Sequence, residues 1–270
     1  MRQMLGKKQI SQSSDWQYVW DHIHEFVTVE HIRKKTAETV ERLQAIVTKR
    51  GYNRVGYGWS GGKDSLVMHE IVKLSKIPVV KGVCILYVTE YPEMVTWLKE
   101  HKPVDCEVRY TNKFTLKQLN ENPELLFPNK PKYIAAYNPP RWVVQNQFRV
   151  DYNLDVLITG RRCIDGNFCG SKENDYISKN KNGDSLNIIA DWTHEELLGF
   201  IKYNNIPLPP CYFYPKSWRF GTHCWTERTR LGEYPFTENL DEIFKIDKNI
   251  LFSARKELDV VERYLCEKGL

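Results

Sequence analysis

Ser60-Gly61-Gly62-Lys63-Asp64-Ser65 decides how this chain of 270 residues is read. The stretch before it, Arg54-Val55-Gly56-Tyr57-Gly58-Trp59, reads as a short strand. The stretch after it places Leu66-Val67-Met68, and Val67, Ile71 and Leu74, at helical spacing. A strand ends, two glycines turn the chain, and a helix begins. Amides at such a junction point one way, and the helix dipole adds partial positive charge. Ser60 and Ser65 add hydroxyl donors and Lys63 a full charge, so the turn suits pyrophosphate or sulfate. Asp64 is acidic beside an anion site, which makes sense where a divalent cation bridges it to phosphates.

Two other phosphate-binding spellings fail here. A Walker A loop needs Gly where Tyr57 stands and Ser or Thr where Asp64 stands. Gly56-Tyr57-Gly58-Trp59-Ser60-Gly61 spells the dinucleotide pattern, but it would begin the turn inside the strand and leave Lys63-Asp64-Ser65 without a role.

Ser60-Gly61-Gly62-Lys63-Asp64-Ser65 resembles the SGGxDS signature of the PP-loop, or N-type, ATP pyrophosphatase superfamily. Two later segments narrow the resemblance. Leu157-Ile158-Thr159-Gly160-Arg161-Arg162 is similar to the strand-then-Gly-x-Arg segment of the phosphoadenosine phosphosulfate (PAPS) reductase branch. Ile188-Ile189-Ala190-Asp191-Trp192-Thr193 through Ile206-Pro207-Leu208-Pro209 is similar to its later helix segment. The three motifs keep the family's order over about residues 50–215. The branch also contains DNA phosphorothioation proteins and ATP sulfurylase small subunits, and the non-reductase members are the nearer likeness.

Composition sets the outer bounds. Net charge is +5, hydrophobic residues make up 41%, and no apolar run approaches membrane-spanning length. No signal peptide is visible at Met1–Ile10. Seven cysteines without a regular framework suggest reduced thiols in a cytosol, so the expected location is cytoplasmic.

Along the chain, Ile32, Thr36, Val40, Leu43 and Val47 make a helical stripe over 30–49, preceded by an aromatic arm around Trp16, Tyr18, Trp20 and Phe26. Further strands are expected at Gly82–Val88, Asp105–Tyr110, Val156–Thr159 and Leu186–Ile189, with helices near Glu93–Lys99 and Leu116–Leu119. Thr193 with Glu196 spells a capping box that opens a helix with Leu197, Leu198 and Ile201 inward. Leu251, Ala254, Leu258, Val261 and Leu265 mark one closing helix. Strands alternating with helices predict an α/β fold, a twisted parallel sheet covered on both faces, with ligands beyond the strands' carboxyl ends. The resemblance implies an adenine nucleotide alpha hydrolase-like version of it. Three regions are expected: residues 1–50 as arm and leading helix, 51–210 as the nucleotide-binding domain, and 211–270 as a basic-aromatic lid with closing helices.

The candidate site follows from these placements. Ser60, Gly61, Gly62 and Ser65 are expected to hold pyrophosphate, with Lys63 neutralising charge and Asp64 holding Mg²⁺. Thr89 and Glu90 end the second strand, which by resemblance lies along adenine and ribose; Glu90 reads as a ribose ligand or as a solvated loop acid. Gly160, Arg161 and Arg162 follow the fourth strand, and Arg162 falls on the family arginine, where a guanidinium can clamp phosphate. Asp165 reads as a metal ligand or a loop cap. Cys163, beside Arg162, is the best candidate for a reactive thiol, with an inert cysteine as the alternative. Cys163, Cys169, Cys211 and Cys224 with His223 fit no zinc or cluster spacing. Cys266 lies in Leu265-Cys266-Glu267-Lys268-Gly269-Leu270, which lacks the Glu-Cys-Gly-Leu-His-type tail of PAPS reductases.

Residues 127–150 and 211–230 interleave cations with aromatics, including Arg141, Trp142, Arg149, Trp218 and Arg219. Such stretches suit a single-stranded nucleic acid, or a lid over the nucleotide. The leading reading is an ATP- and Mg²⁺-dependent adenylating transferase or ligase. It splits ATP to AMP and pyrophosphate and activates a small-molecule or nucleic-acid acceptor for sulfur or nitrogen transfer. The alternatives are a sulfonucleotide reductase and a non-catalytic nucleotide-binding or DNA-associated subunit.

Overall fold

The computed structural model describes residues 13–127, 132, 133, 136, 138–213, 225 and 236–270. The chain divides into two compact units that interleave in sequence. The first is Met1–Ile85, His101–Arg109 and Val144–Leu208; the second is Leu86–Glu100, Tyr110–Val143 and Pro209–Leu270.

The first unit opens with α1 (Ser13–Asp21), α2 (Ile23–Phe26) and α3 (Val29–Arg50). Thr28 caps α3 by accepting from the His31 amide at 3.1 Å, and Gly51 ends it at φ 65°. The arm is less peripheral than its polar start suggests. Trp16, Val19, Ile23 and Phe26 are all buried, and Tyr203 Oη donates to the Val27 carbonyl at 2.7 Å.

The sheet contains β1 (Val55–Gly58), β2 (Val79–Tyr87), β3 (Cys106–Thr111), β4 (Val156–Ile158), β5 (Ile177–Ser178) and β6 (Asp184–Leu186). Their order across the sheet is β3-β2-β1-β4-β6-β5. β1 runs parallel to β2 and β4, and β4 parallel to β6; only the short β5 is shown antiparallel, to β6. All three residues of β4, and Val55, Gly56 and Tyr57 of β1, are buried, as expected of central strands covered on both faces. The chain goes outward from β1 to β2 and β3, then returns to β4 on the other side of β1. The loops leaving β1 and β4 thus diverge at the switch point where α/β sheets bind ligands.

Helix α4 (Lys63–Ser75) follows β1, with Leu66, Val67, Met68, Ile71 and Val72 buried. Leu74, expected inward, is 51% exposed because it lies in the last turn, just before the left-handed Lys76 that ends the helix. After α5 (Pro92–His101) and α6 (Leu116–Glu121) comes α7 (Asn138–Asp151), in a stretch read from sequence only for its charges and aromatics. The strand expected at Leu186–Ile189 stops at Leu186, and Ile188–Asp191 form a turn instead. α8 (His194–Tyr203) opens with both halves of the expected capping box.

In the second unit, α9 (Phe236–Ile246) precedes α10 (Lys248–Ala254) and α11 (Asp259–Glu267). The stripe expected as one closing helix is fully buried but breaks after Ala254. Those side chains pack with Tyr91, Leu119 and Trp225 in one core.

Asp191 locks α3 onto the turn before α8. It accepts from Arg42 Nη2 at 2.8 Å and Lys35 Nζ at 3.0 Å, while Arg42 Nη2 also reaches the Ile188 carbonyl at 2.6 Å. Burial opposes the Asp191 charge, but Arg42 and Lys35 outweigh it and hold the carboxyl down at about 2, against an ordinary 3.8. A depressed folded-state value adds stability that is whole above pH 3.8 and is lost as pH falls through about 2. Asp191→Asn is expected to cost about 2 kcal/mol at pH 7. Thermal unfolding from pH 7 to pH 2 checks this: the gap from wild type should close at the acid end, and a pH-independent gap would assign the loss to packing.

Candidate functional site

The loop between β1 and α4 is shaped by its own side chains. Gly61 has φ 72°, which glycine adopts without strain. The Ser60 amide donates to Ser65 Oγ at 3.1 Å, and Ser65 Oγ donates to the Gly62 carbonyl at 2.9 Å. Ser60 Oγ lies 3.2 Å from Ser65 Oγ and accepts from the Gly62 amide at 3.3 Å. The Ser65 hydroxyl, expected on an anion, is thus engaged in holding the turn. Gly62 is the N-cap and makes no side-chain cap, which suits a helix start that presents its amides to a ligand.

Two cations grip Asp64. Lys63 Nζ donates to Oδ2 at 2.7 Å, and Arg162 Nε donates to Oδ1 at 2.7 Å. Lys63 is 4% exposed and Arg162 0%, while the Asp64 side chain is 26% exposed. Arg162 spends its other nitrogens inward. Nη1 reaches the Trp192 carbonyl at 3.3 Å, and Nη2 lies 3.1 Å from both Asp165 Oδ1 and His194 Nδ1. The Arg162 guanidinium, expected to clamp phosphate, is enclosed here and bonded to Asp64. Arg161, in the same loop, is half-buried. Asp165 is neither a bare loop cap nor a solvent-facing acid, since it shares the Arg162 guanidinium.

Trp192 entered the sequence reading only within the segment Ile188–Thr193, and His194 was not singled out. His194 follows the capping Thr193, a signal for the helix start but not for which side chain turns toward Arg162. Gly160 was legible. A Cβ there would lie 3.0 Å from the Asp64 carbonyl carbon, 3.1 Å from its oxygen and 3.2 Å from the Ser65 amide nitrogen. The end of β4 therefore touches the backbone of α4 with no room for a side chain.

Thr89 and Glu90 belong to the second unit. Glu90 Oε1 accepts from the Tyr87 amide at 3.2 Å, and the Thr89 carbonyl accepts from the Trp225 amide at 3.3 Å. In the same unit the Arg141 guanidinium lies 4.4 Å from the centre of the Tyr87 ring. Arg149, counted among the basic-aromatic cations, is instead buried in the first unit. It donates to the Gly183 and Asp184 carbonyls at 2.9 and 2.7 Å and to Ser185 Oγ at 2.6 Å. Burial, followed by the Arg161 charge, lowers it to about 10. Residues 214–224 and 226–230, with Trp218, Arg219, His223 and Cys224, lie outside the described residues. Among the described residues, no three His, Cys, Asp or Glu gather as a metal cage.

The Gly160 contact gives a direct test. Gly160→Ala is expected to push β4 from α4 and cost about 1–3 kcal/mol. Gly58→Ala is the control, because its Cβ would come no nearer than 3.9 Å to the Ile158 carbonyl oxygen. The melting temperatures of both variants check this, and equal behaviour would remove the close approach as a constraint.

Residues 54–239 match the model of the phosphoadenosine phosphosulfate reductase domain. No curated protein matches. Solved structures with similar folds include the PAPS reductase of Candida auris, at 14% identity and TM-score 0.46, covering 68% of this chain and 90% of that one. The NMN synthetase of Francisella tularensis has 15% identity and TM-score 0.46, covering 65% and 71%. The U34-tRNA thiolase NcsA of Methanococcus maripaludis has 17% identity and TM-score 0.45, covering 98% and 89%. The chain belongs to the phosphoadenosine phosphosulfate reductase domain family, within the PP-loop ATP pyrophosphatase superfamily.

Proposed function

We propose that this protein is an ATP-using adenylating enzyme that splits ATP into AMP and pyrophosphate. The observation that carries this reading is the pairing of an amide-presenting helix start with a carboxylate fixed beside it by Lys63 and Arg162. A phosphate-binding turn alone would serve any anion. An oriented acid at the same turn serves a phosphate that arrives with a cation.

The donor set fits Mg²⁺. Asp64 is a partly exposed carboxylate whose Oδ2 accepts from Lys63 and whose Oδ1 accepts from Arg162. Mg²⁺ is commonly held by one or two carboxylates plus phosphates and water rather than by a protein cage. Bound there, it would offset the charge of pyrophosphate as it leaves.

The chain's own groups supply the rest. The Gly61 amide and the start of α4 receive pyrophosphate, with Ser60 and Ser65 keeping the turn in shape. Lys63 and Arg161 stabilise the charge that develops as the acceptor oxygen attacks the α-phosphorus. A nucleophile then displaces AMP from the activated acceptor, which places the protein with sulfur- or nitrogen-transferring enzymes. The exposed Trp142 and the neighbouring Arg141 support a nucleic-acid acceptor as a proposal, now without Arg149.

Radiolabelled ATP with Mg²⁺ and cell extract tests the reaction. AMP and pyrophosphate are expected, and steady ADP production would overturn the reading. Asp64→Asn is expected to lower Mg²⁺-dependent turnover by at least about 100-fold while the fold survives. Wild-type turnover in a folded variant would reduce Asp64 to a structural partner of Arg162. Sulfite release from PAPS with thioredoxin would favour the reductase alternative.

A further inference from the structure

The loop that carries Arg161 and Arg162 out of β4 also carries two cysteines pinned to one turn. The Cys163 amide donates to the Ala190 carbonyl at 2.9 Å, and the Cys169 carbonyl accepts from Asn187 Nδ2 at 2.9 Å. Asn187 and Ala190 close a single turn, the Ala190 amide donating to the Asn187 carbonyl at 3.0 Å. Both side chains belong to this one anchored loop, where Cys169 Sγ donates to the Asn167 carbonyl at 3.6 Å. Both are free; Cys163 is exposed and Cys169 is 2% exposed. Gly166 between them and Gly170 after them take φ of 77° and 78°, so the segment folds back without strain. Burial, and then the neighbouring Cys163, push the Cys169 thiol up to about 12, which keeps it protonated and inert toward solvent.

An exposed sulfur beside a shielded one divides the labour of a two-cysteine redox site: the first meets the oxidant and the second resolves it. We propose that Cys163 and Cys169 form a reversible dithiol–disulfide site, oxidised by hydroperoxides, whose state acts on Asp64 through Arg162. The Cys163 sulfur attacks a peroxide oxygen, breaks the O–O bond and becomes a sulfenic acid, while an alcohol or water leaves. The Cys169 sulfur then attacks the Cys163 sulfur. The S–S bond forms, and the sulfenic oxygen departs as water with the Cys169 proton. Two electrons have passed from the thiols to the peroxide, and a small-molecule dithiol returns them.

The coupling to the candidate site is covalent and short. Cys163 is joined to Arg162 by one peptide bond and starts the 3₁₀ turn Cys163–Asp165, whose Asp165 shares the Arg162 guanidinium. Closing an S–S bond of about 2.05 Å draws that turn toward Cys169 and shifts the group that aims Asp64. This consequence rests on the ATP reading; the disulfide does not.

Treatment of the full chain with hydrogen peroxide, then alkylation and peptide mass mapping, tests the site. A loss of about 2 Da is expected in one linked peptide pair containing Cys163 and Cys169, reversed by dithiothreitol. Cys169→Ser should leave a Cys163 sulfenic acid that dimedone traps, and Cys163→Ser should leave Cys169 unmodified. Overoxidised Cys163 beside an intact Cys169 thiol, or Cys163 linked to another cysteine, would overturn the proposal. MgATP titration is expected to show binding at least about fivefold weaker in the oxidised protein, with Cys163→Ser insensitive to peroxide. A disulfide that leaves MgATP affinity unchanged would overturn the coupling. Failure of both forms to bind MgATP, with the disulfide formed, would instead count against the ATP reading.

Discussion

A guanidinium with no exposed surface joins the end of β4 to the start of α4. Burying such a charge is costly unless its donors find acceptors of matching charge and geometry. Arg162 meets that demand with Asp64, Asp165, the Trp192 carbonyl and His194, taken from three separated segments of the chain. The arrangement couples fold to site. The contacts that make Arg162 tolerable in the interior also fix the direction of the Asp64 carboxylate at the Ser60–Ser65 turn.

Charge balance explains why that turn can await an anion. Lys63 and Arg162 face Asp64 and Asp165, two cations against two carboxylates. The buried part of the site is therefore close to neutral before a ligand arrives.

The scaffold around this centre is stiff for definite reasons. Gly160 lets β4 lie against the α4 backbone, where a methyl group would meet the Asp64 carbonyl. Asp191 ties α3 to the turn preceding α8, and Trp192 Nε1 adds a hydrogen bond to Thr39 Oγ1 at 3.2 Å. The same turn anchors the backbones of Cys163 and Cys169. The site thus hangs from a short, well-bonded segment, Asn187–His194, most of which a reading for strands and helices passes over.

The sequence by itself determined the strand–turn–helix at Ser60–Ser65, the central parallel strands, the Thr193 capping box and the glycine at the end of β4. These depend on local chemistry: glycine where a side chain cannot fit, apolar runs where both faces are covered, and a cap where amides lack carbonyls. Tertiary structure decided what local pattern cannot encode. The adjacent Arg161 and Arg162 look equivalent in sequence, yet only Arg162 is fully enclosed by acceptors from distant segments. Arg149 reads as part of a basic surface, yet it turns inward to the Gly183 and Asp184 carbonyls. Ile188 and Ile189 read as strand and fold as turn, because the Asn187 side chain is held by Thr159, Cys169 and Tyr176. In each case the energy that settles the outcome comes from partners far away in the chain, where sequence pattern carries no distance.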